Sequence, residues 1–271
     1  MLVEKKSIAV QAPFITESGS ALPAPVVAYE EYGNPAGPVI LICHGGLSSC
    51  HAAGKYAETD PLPGFWDGLI GPGKAFDTDK FRILSMNSLG SMHGSSGPTS
   101  IDPTTGGRYG PTFPAITLRD QVRFAAAFLD AMQVDKLYAM SGPSMGSLHT
   151  LTFAAMYPER IERAIAVATA GRMPASGMAM HHFMKNALQM DTGFQAGWYE
   201  QGRSLGAMKL IWQVMKLYYT SDKIYKQMCF DSIPHAPGAQ QKRADKALWF
   251  LIAGLDNGIQ QYDPNAFISV V

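Results

Sequence analysis

Residues 136–158 read KLYAMSGPSMGSLHTLTFAAMYP. Lys136 to Ser141 is a short apolar run of the kind found in strands buried on both faces, and Met145 to Tyr157 has the length and composition of a helix, stopped by Pro158. Between them Gly142-Pro143-Ser144-Met145-Gly146 matches G-x-S-x-G at a strand-to-helix junction. Such a turn is tight enough that small residues must flank the serine, whose hydroxyl is forced up at the top of the sheet in a strained conformation. The N–H of Met145 then lies at a helix N-terminus, where it can donate to a developing oxyanion. Ser144 is the candidate nucleophile; the alternative is a glycine-rich turn that merely packs.

Working outward, Pro38-VILIC-His44 is a second apolar run that ends in glycines, and Phe81-RILSMN-Ser88 is a third. Thr117 and Asp120 form a capping-box-like start to a helix whose apolar positions run from Leu118 to Met132. Ile161 to Ala170 reads as a fourth strand. Strands alternating with helices predict an α/β fold with a mostly parallel sheet and right-handed crossovers. Residues 7–15 and 24–32 predict an antiparallel pair at one end of it. From about Arg172 the pattern turns to short, methionine-rich helices without a convincing strand. The expected organisation is a sheet core over 1–171, a helical cap over 172–260, and the start of a return to the core over 261–271.

Composition narrows the function. The 22 basic residues balance the 22 acidic ones, which argues against a nucleic-acid partner. Apolar runs such as Val39–Cys43 and Ala164–Ala168 are far shorter than the roughly 18 residues that span a bilayer, and residues 1–14 lack a signal-peptide pattern. Cys43, Cys50 and Cys229 have no metal-ligand spacing, so no metal is expected; Cys43 reads as a buried free thiol. A cytoplasmic protein acting on a small molecule is the expectation.

A second oxyanion donor is expected from His44-Gly45-Gly46-Leu47, either Gly46 or Leu47, with His44 bracing the loop. The Gly-, Ser-, Thr- and Pro-rich stretch from Leu89 to Pro114, with Asp102, Arg108 and Tyr109, is either a wall of the site or a self-braced surface loop. His51 reads as structural. The methionines and Trp198, Trp212 and Trp249 read either as ordinary core or as the lining of an acyl or pantetheine tunnel.

The chain resembles the homoserine O-acetyltransferase family of α/β-hydrolase-fold enzymes. The segments that carry the resemblance are ILICHGGLSSCHAAG, FWDGLIGPGKAFDTDKF, NSLGSMHGSSGPTSIDPTTGGRYGPTFPAITLRDQV, SGPSMG, DTGFQAGWYEQG and YYTSD. The resemblance implies a ping-pong mechanism in which Ser144 takes an acetyl group from acetyl-CoA and passes it to a hydroxyl, with no bound cofactor. It also implies that Tyr219 and the residue seven before it contact substrate. That residue is Trp212, where the family has a carboxylate-holding arginine, so the acceptor is left open; Arg203, Lys209 and Lys216 are the available cations.

The family's catalytic acid and histidine follow the cap, and no matching segment follows YDPNAF here. The seven histidines are His44, His51, His93, His149, His181, His182 and His235; of these His235, which follows a proline in the cap, is placed to hang over the site. The expectation is therefore a fold without its final strands. IAVATA would form an apolar sheet edge inviting a second copy or a complementing chain. An acyltransferase, a carboxylesterase and a partner-dependent or non-catalytic member of the family all remain open on the sequence.

Overall fold

The computed structural model describes residues 1–200, 205–231, 239–252 and 262–270. Two compact units are formed: residues 1–173 with 265–271, and residues 174–264. The first holds the sheet. Its strands and helices are β1 (Lys6–Ala9), β2 (Phe14–Ile15), β3 (Ala21–Leu22), β4 (Val26–Gly33), β5 (Val39–Cys43), β6 (Ile70–Gly71), β7 (Phe76–Asp77), β8 (Arg82–Met86), α1 (Leu118–Ala131), β9 (Ala139–Pro143), α2 (Met145–Met156) and β10 (Ala164–Val167). The second unit holds α3 (Ala175–Met190), α4 (Gly206–Tyr219), α5 (Asp222–Lys226) and α6 (Ala239–Ile252). The last helix, α7 (Pro264–Val270), belongs to the first unit from Asn265 on, with Ala266 and Phe267 each 3% exposed. The expected boundary at 260/261 lies outside the described residues.

The six-stranded sheet runs β1-β4-β8-β5-β9-β10. β1 and β8 pair antiparallel with β4, and β8, β5, β9 and β10 are mutually parallel. The apolar runs became the central parallel strands because both sheet faces are covered there. On one face α1 and α2 pack Phe124, Phe128 and Phe153 against Leu41, Leu84 and Met140. On the other, segment 52–83 lays Ala52, Ala53, Ile70 and Phe76 over Tyr32, Ile40 and Ile42. The predicted capping box is present: Thr117 Oγ1 accepts from Asp120 N at 3.1 Å, and Thr117 N donates to Asp120 Oδ2 at 3.0 Å.

Two strands differ from their patterns, and the run expected over 161–170 is a strand only over Ala164–Val167. Residues 7–15 do not form a single strand: β1 ends at Ala9, and Phe14–Ile15 pairs with Ala21–Leu22 in a separate ribbon. Pro13 has no N–H to offer a ladder, which divides the run. The antiparallel partnership itself holds, with Lys6 opposite Tyr29 and Ala9 opposite Val26. At the far end, β10 pairs only with β9 among the described residues, and Ile165 and Val167 are each 43% exposed.

Candidate active site

Ser144 stands where β9 becomes α2, with φ 51° and ψ −118°. That backbone conformation is costly for any residue with a Cβ and persists only where the surroundings enforce it. Here the enforcement is visible. Ser144 N donates to Val167 O at 3.0 Å, and its carbonyl accepts Ser147 N at 2.9 Å, Leu148 N at 3.2 Å and the Ser147 hydroxyl at 2.5 Å. The elbow is thus tied to β10 on one side and to its own helix on the other. Ser144 is exposed while Met145, Gly146 and Ser147 behind it are buried.

The flanking glycines are demanded by one carbonyl. A Cβ on Gly142 would lie 2.3 Å from Cys43 O, and one on Gly146 would lie 2.2 Å from the same oxygen. The end of β5 therefore wedges between the two arms of the turn. Because β5 and β9 are parallel neighbours, the loop leaving β5 runs beside Ser144. A Cβ on Gly45 would sit 3.9 Å from Ser144 Cβ, whereas Gly46 faces open space. Met145 N–H is in the first turn of α2, where backbone donors have no carbonyl within the helix. Ser144, Met145, Gly46 and Leu47 are thus gathered at the carboxyl ends of adjacent strands, the usual place for a site in a parallel sheet.

His44 is a brace. Its Nδ1 lies 2.7 Å from Gly45 O and its Nε2 accepts Ser88 N at 3.1 Å, so Nδ1 carries the proton. Burial pushes its pKa down to about 4, with repulsion from His93 adding to the effect. His149 is buried too, its Nε2 2.9 Å from Gln121 Oε1, and burial pushes it down to about 3. Neither reaches Ser144: among the described residues no side chain is hydrogen-bonded to the Ser144 hydroxyl. His181 and His182 belong to α3 of the second unit, and His235 lies outside the described residues.

The 89–114 loop is internally braced. Asp102 Oδ1 accepts Thr104 N at 2.8 Å and its hydroxyl at 2.6 Å, Asp102 N donates to Gly107 O at 2.7 Å, and Ile101 bridges Arg108. Tyr109 is buried against Phe113, edge to face at 5.4 Å. Cys43 and Cys50 are free and buried, and burial pushes both thiols up to about 12, which keeps them unreactive. The Cys229 and Trp249 side chains lie outside the described residues.

In the second unit Trp212 and Tyr219 lie two turns apart on α4, and Tyr219 is 68% exposed. Lys216, one turn beyond Trp212, places Nζ 5.8 Å from the Trp212 ring centroid, and burial lowers its pKa. The helix that carries Trp212 thus also carries a cation one turn away. Arg203 lies outside the described residues. Met184 and Met208 are buried core, but Met190 (82%) and Trp198 (58%) are exposed, so the methionines and tryptophans are not one continuous stripe.

The sequence reading missed the polar cluster beneath the β5 loop. Glu30 on β4 is fully buried and receives Tyr32, Tyr56 and His51, and Asn87 Oδ1 accepts Cys50 N at 2.7 Å. The available signal was the Glu30–Glu31 pair inside the otherwise apolar run Val26 to Tyr32, where strand alternation turns one of two adjacent carboxylates inward.

A family profile described as the alpha/beta hydrolase fold matches residues 38–215. The chain belongs to the α/β-hydrolase fold family. Within it, the resemblance to the homoserine O-acetyltransferases is borne out. The homoserine O-acetyltransferase of Symbiobacterium thermophilum is 43% identical over 190 residues, 69% of this chain and 50% of that protein. The crystal structure of the Bacillus anthracis homoserine O-acetyltransferase superposes with a TM-score of 0.84 at 28% identity, covering 100% of this chain and 75% of that one. The crystal structure of an esterase superposes equally well, with a TM-score of 0.84 at 32% identity over 99% of this chain and 77% of that one. The chain spans about half the length of the curated relatives it matches. Among the described residues no helix is long and apolar enough to cross a membrane.

Proposed function

We propose that this α/β-hydrolase-fold protein transfers an acyl group through Ser144, with acetyl-CoA as donor and the hydroxyl of homoserine as acceptor. The observation that carries the reading is the strained, exposed Ser144 beside the Gly45–Gly46 backbone. The Ser144 oxygen attacks the thioester carbonyl and gives up its proton to a general base. The carbonyl oxygen becomes an oxyanion that takes hydrogen bonds from Met145 N–H and Gly46 N–H, with Leu47 beside them. Expulsion of the thiolate, which takes up a proton, leaves an ester on Ser144. The acceptor hydroxyl then attacks that ester, loses its proton to the base and restores the serine. Each oxyanion donor contributes about 3 kcal/mol in comparable sites because it is fixed before the charge develops. Neither His44 nor His149 is the base in this reading: both are buried, His44 is held at both ring nitrogens and His149 is held at Nε2. Trp212 and Tyr219 are the acceptor contacts that the family resemblance implies, and Lys216 Nζ lies 5.8 Å from the Trp212 ring centroid.

A second reading, ester hydrolysis with water as acceptor, is favoured by one observation: tryptophan stands where the family resemblance implies an arginine for a carboxylate. The test is intact mass after exposure to p-nitrophenyl acetate, with Ser144→Ala alongside. One acetyl on the wild type and none on the variant supports the acyl-enzyme; none on either, in folded samples, rejects it. Thiol release from acetyl-CoA with and without L-homoserine then separates transfer from hydrolysis.

A further inference from the structure

We propose that Glu30 is a positioning residue for acylation, holding the β5 loop so that Gly46 N–H faces the oxyanion formed at Ser144. The inference rests on Ser144 being the nucleophile. Three donors converge on the buried Glu30 carboxylate: the Tyr32 hydroxyl, the Tyr56 hydroxyl at 2.5 Å from Oε1, and His51 Nδ1 at 3.2 Å from Oε1 and 3.3 Å from Oε2. His51 also stacks on the Tyr56 ring with centroids 4.2 Å apart. A carboxylate placed in a core is costly unless its neighbours satisfy it, and these three do.

What the carboxylate adds is direction. A phenol has one proton, and Tyr32 donates it in a hydrogen bond to Glu30. The lone pairs of the Tyr32 oxygen are thereby left for the loop backbone, where Ala52 N donates at 3.0 Å and Ala53 N at 3.2 Å. Burial and the adjoining Glu30 also raise the Tyr32 pKa, so the phenol keeps the proton that this arrangement needs. The far end of the loop is thus pinned to β4. Cys50 N is held by Asn87, whose Nδ2 donates to His93 O at 2.7 Å, and the near end is held by His44 against Ser88. Between these anchors lies Gly45–Ser49, closed by Ser48 N donating to Gly45 O at 3.0 Å. Gly46 therefore sits in a short span whose two ends are fixed by side chains.

Glutamine at position 30 would offer one acceptor oxygen in place of two and bring two N–H donors. The Tyr32 proton would then compete with the Ala52 and Ala53 N–H groups. The loop would keep its packing but lose its orientation, and a displacement of about 1 Å at a catalytic donor costs on the order of a hundredfold in rate.

The experiment uses the full chain. Single-turnover acetylation by p-nitrophenyl acetate is followed over a concentration series, giving the saturating rate and the half-saturation concentration separately. Amide hydrogen exchange is followed in the peptide covering residues 44–54. Glu30→Gln and Tyr32→Phe should each lower the saturating rate about ten- to a hundredfold, leave half-saturation within about twofold, and speed exchange in that peptide. The double variant should be no slower than the slower single, because both act through one oxygen. Leu129→Ala, on α1 in the core of the opposite sheet face, lowers stability without touching the saturating rate. Glu30→Gln with a wild-type acylation rate, or with a loss no larger than that of Leu129→Ala, overturns the inference alone. Absence of an acetyl on wild-type Ser144 overturns the nucleophile reading, and this inference with it.

Discussion

Gly146→Ala puts the geometry of the elbow to a direct test. An alanine Cβ at this position would lie 2.2 Å from Cys43 O, 2.7 Å from Cys43 C and 2.9 Å from His44 O. All three are backbone atoms, so no side-chain rotation relieves the overlap. Restoring ordinary contact requires α2 and the end of β5 to part by about 1 Å. Two effects compete. Alanine in place of glycine favours a helix by up to about 1 kcal/mol, less in a first turn. Overpacking costs about 1–3 kcal/mol, and the upper end applies where only backbone can yield. The expected net loss is about 2 kcal/mol in urea denaturation. The same parting moves Met145 N–H away from the loop carrying Gly46, so acetylation of Ser144 should slow about a hundredfold. Gly46→Ala is the control for stability: nothing lies within 4 Å of its Cβ position, and its midpoint should stay within about 0.5 kcal/mol of wild type. A Gly146→Ala protein as stable as wild type, with an unchanged acetylation rate, would refute the wedge argument.

Three further outcomes are expected. Ser144→Gly should raise stability by about 1 kcal/mol while abolishing acetylation, because glycine relieves the φ 51° strain at the expense of some chain entropy; a destabilised variant in urea would show that the strain is not there to be released. Stability should fall as pH drops below about 6.5, since unfolded histidines take up protons that buried His44 and His149 refuse until about pH 4 and 3. The loss at pH 5 is about 2 kcal/mol for each, and His149→Gln should remove its share of the pH dependence; an unchanged slope in that variant contradicts the assignment. Thr117→Ala, which leaves Asp120 N without its side-chain acceptor at the start of α1, should cost about 1 kcal/mol in the same urea assay, and no loss would deny the cap its role.

Local pattern was enough for the parts of this protein whose structure is set by near neighbours in the chain. Apolar runs closed by glycine marked β5, β8 and β9, and the Thr117–Asp120 box marked the start of α1. G-x-S-x-G at a strand-to-helix junction marked Ser144, because the sharp turn from β9 into α2 is made by a few consecutive peptides. The division of the strand expected over 7–15 also has a local cause, Pro13 without an N–H, which the alternation of that run concealed. Tertiary structure decided what depends on distant segments meeting. That one carbonyl, Cys43 O, requires both Gly142 and Gly146 to be bare follows only from β5 and β9 lying side by side. That His44 and His149 are poor bases follows from burial and from partners 44 and 28 residues away. Glu30 looked like half of an ordinary acidic pair in a strand. Its pairing with His51, Tyr32 and Tyr56 arises because the β5 loop folds back across the end of β4, and no periodicity in a single strand encodes which loop will cover it. Sequence period sets which face a side chain takes; which group meets it there is settled by the packing of the whole sheet.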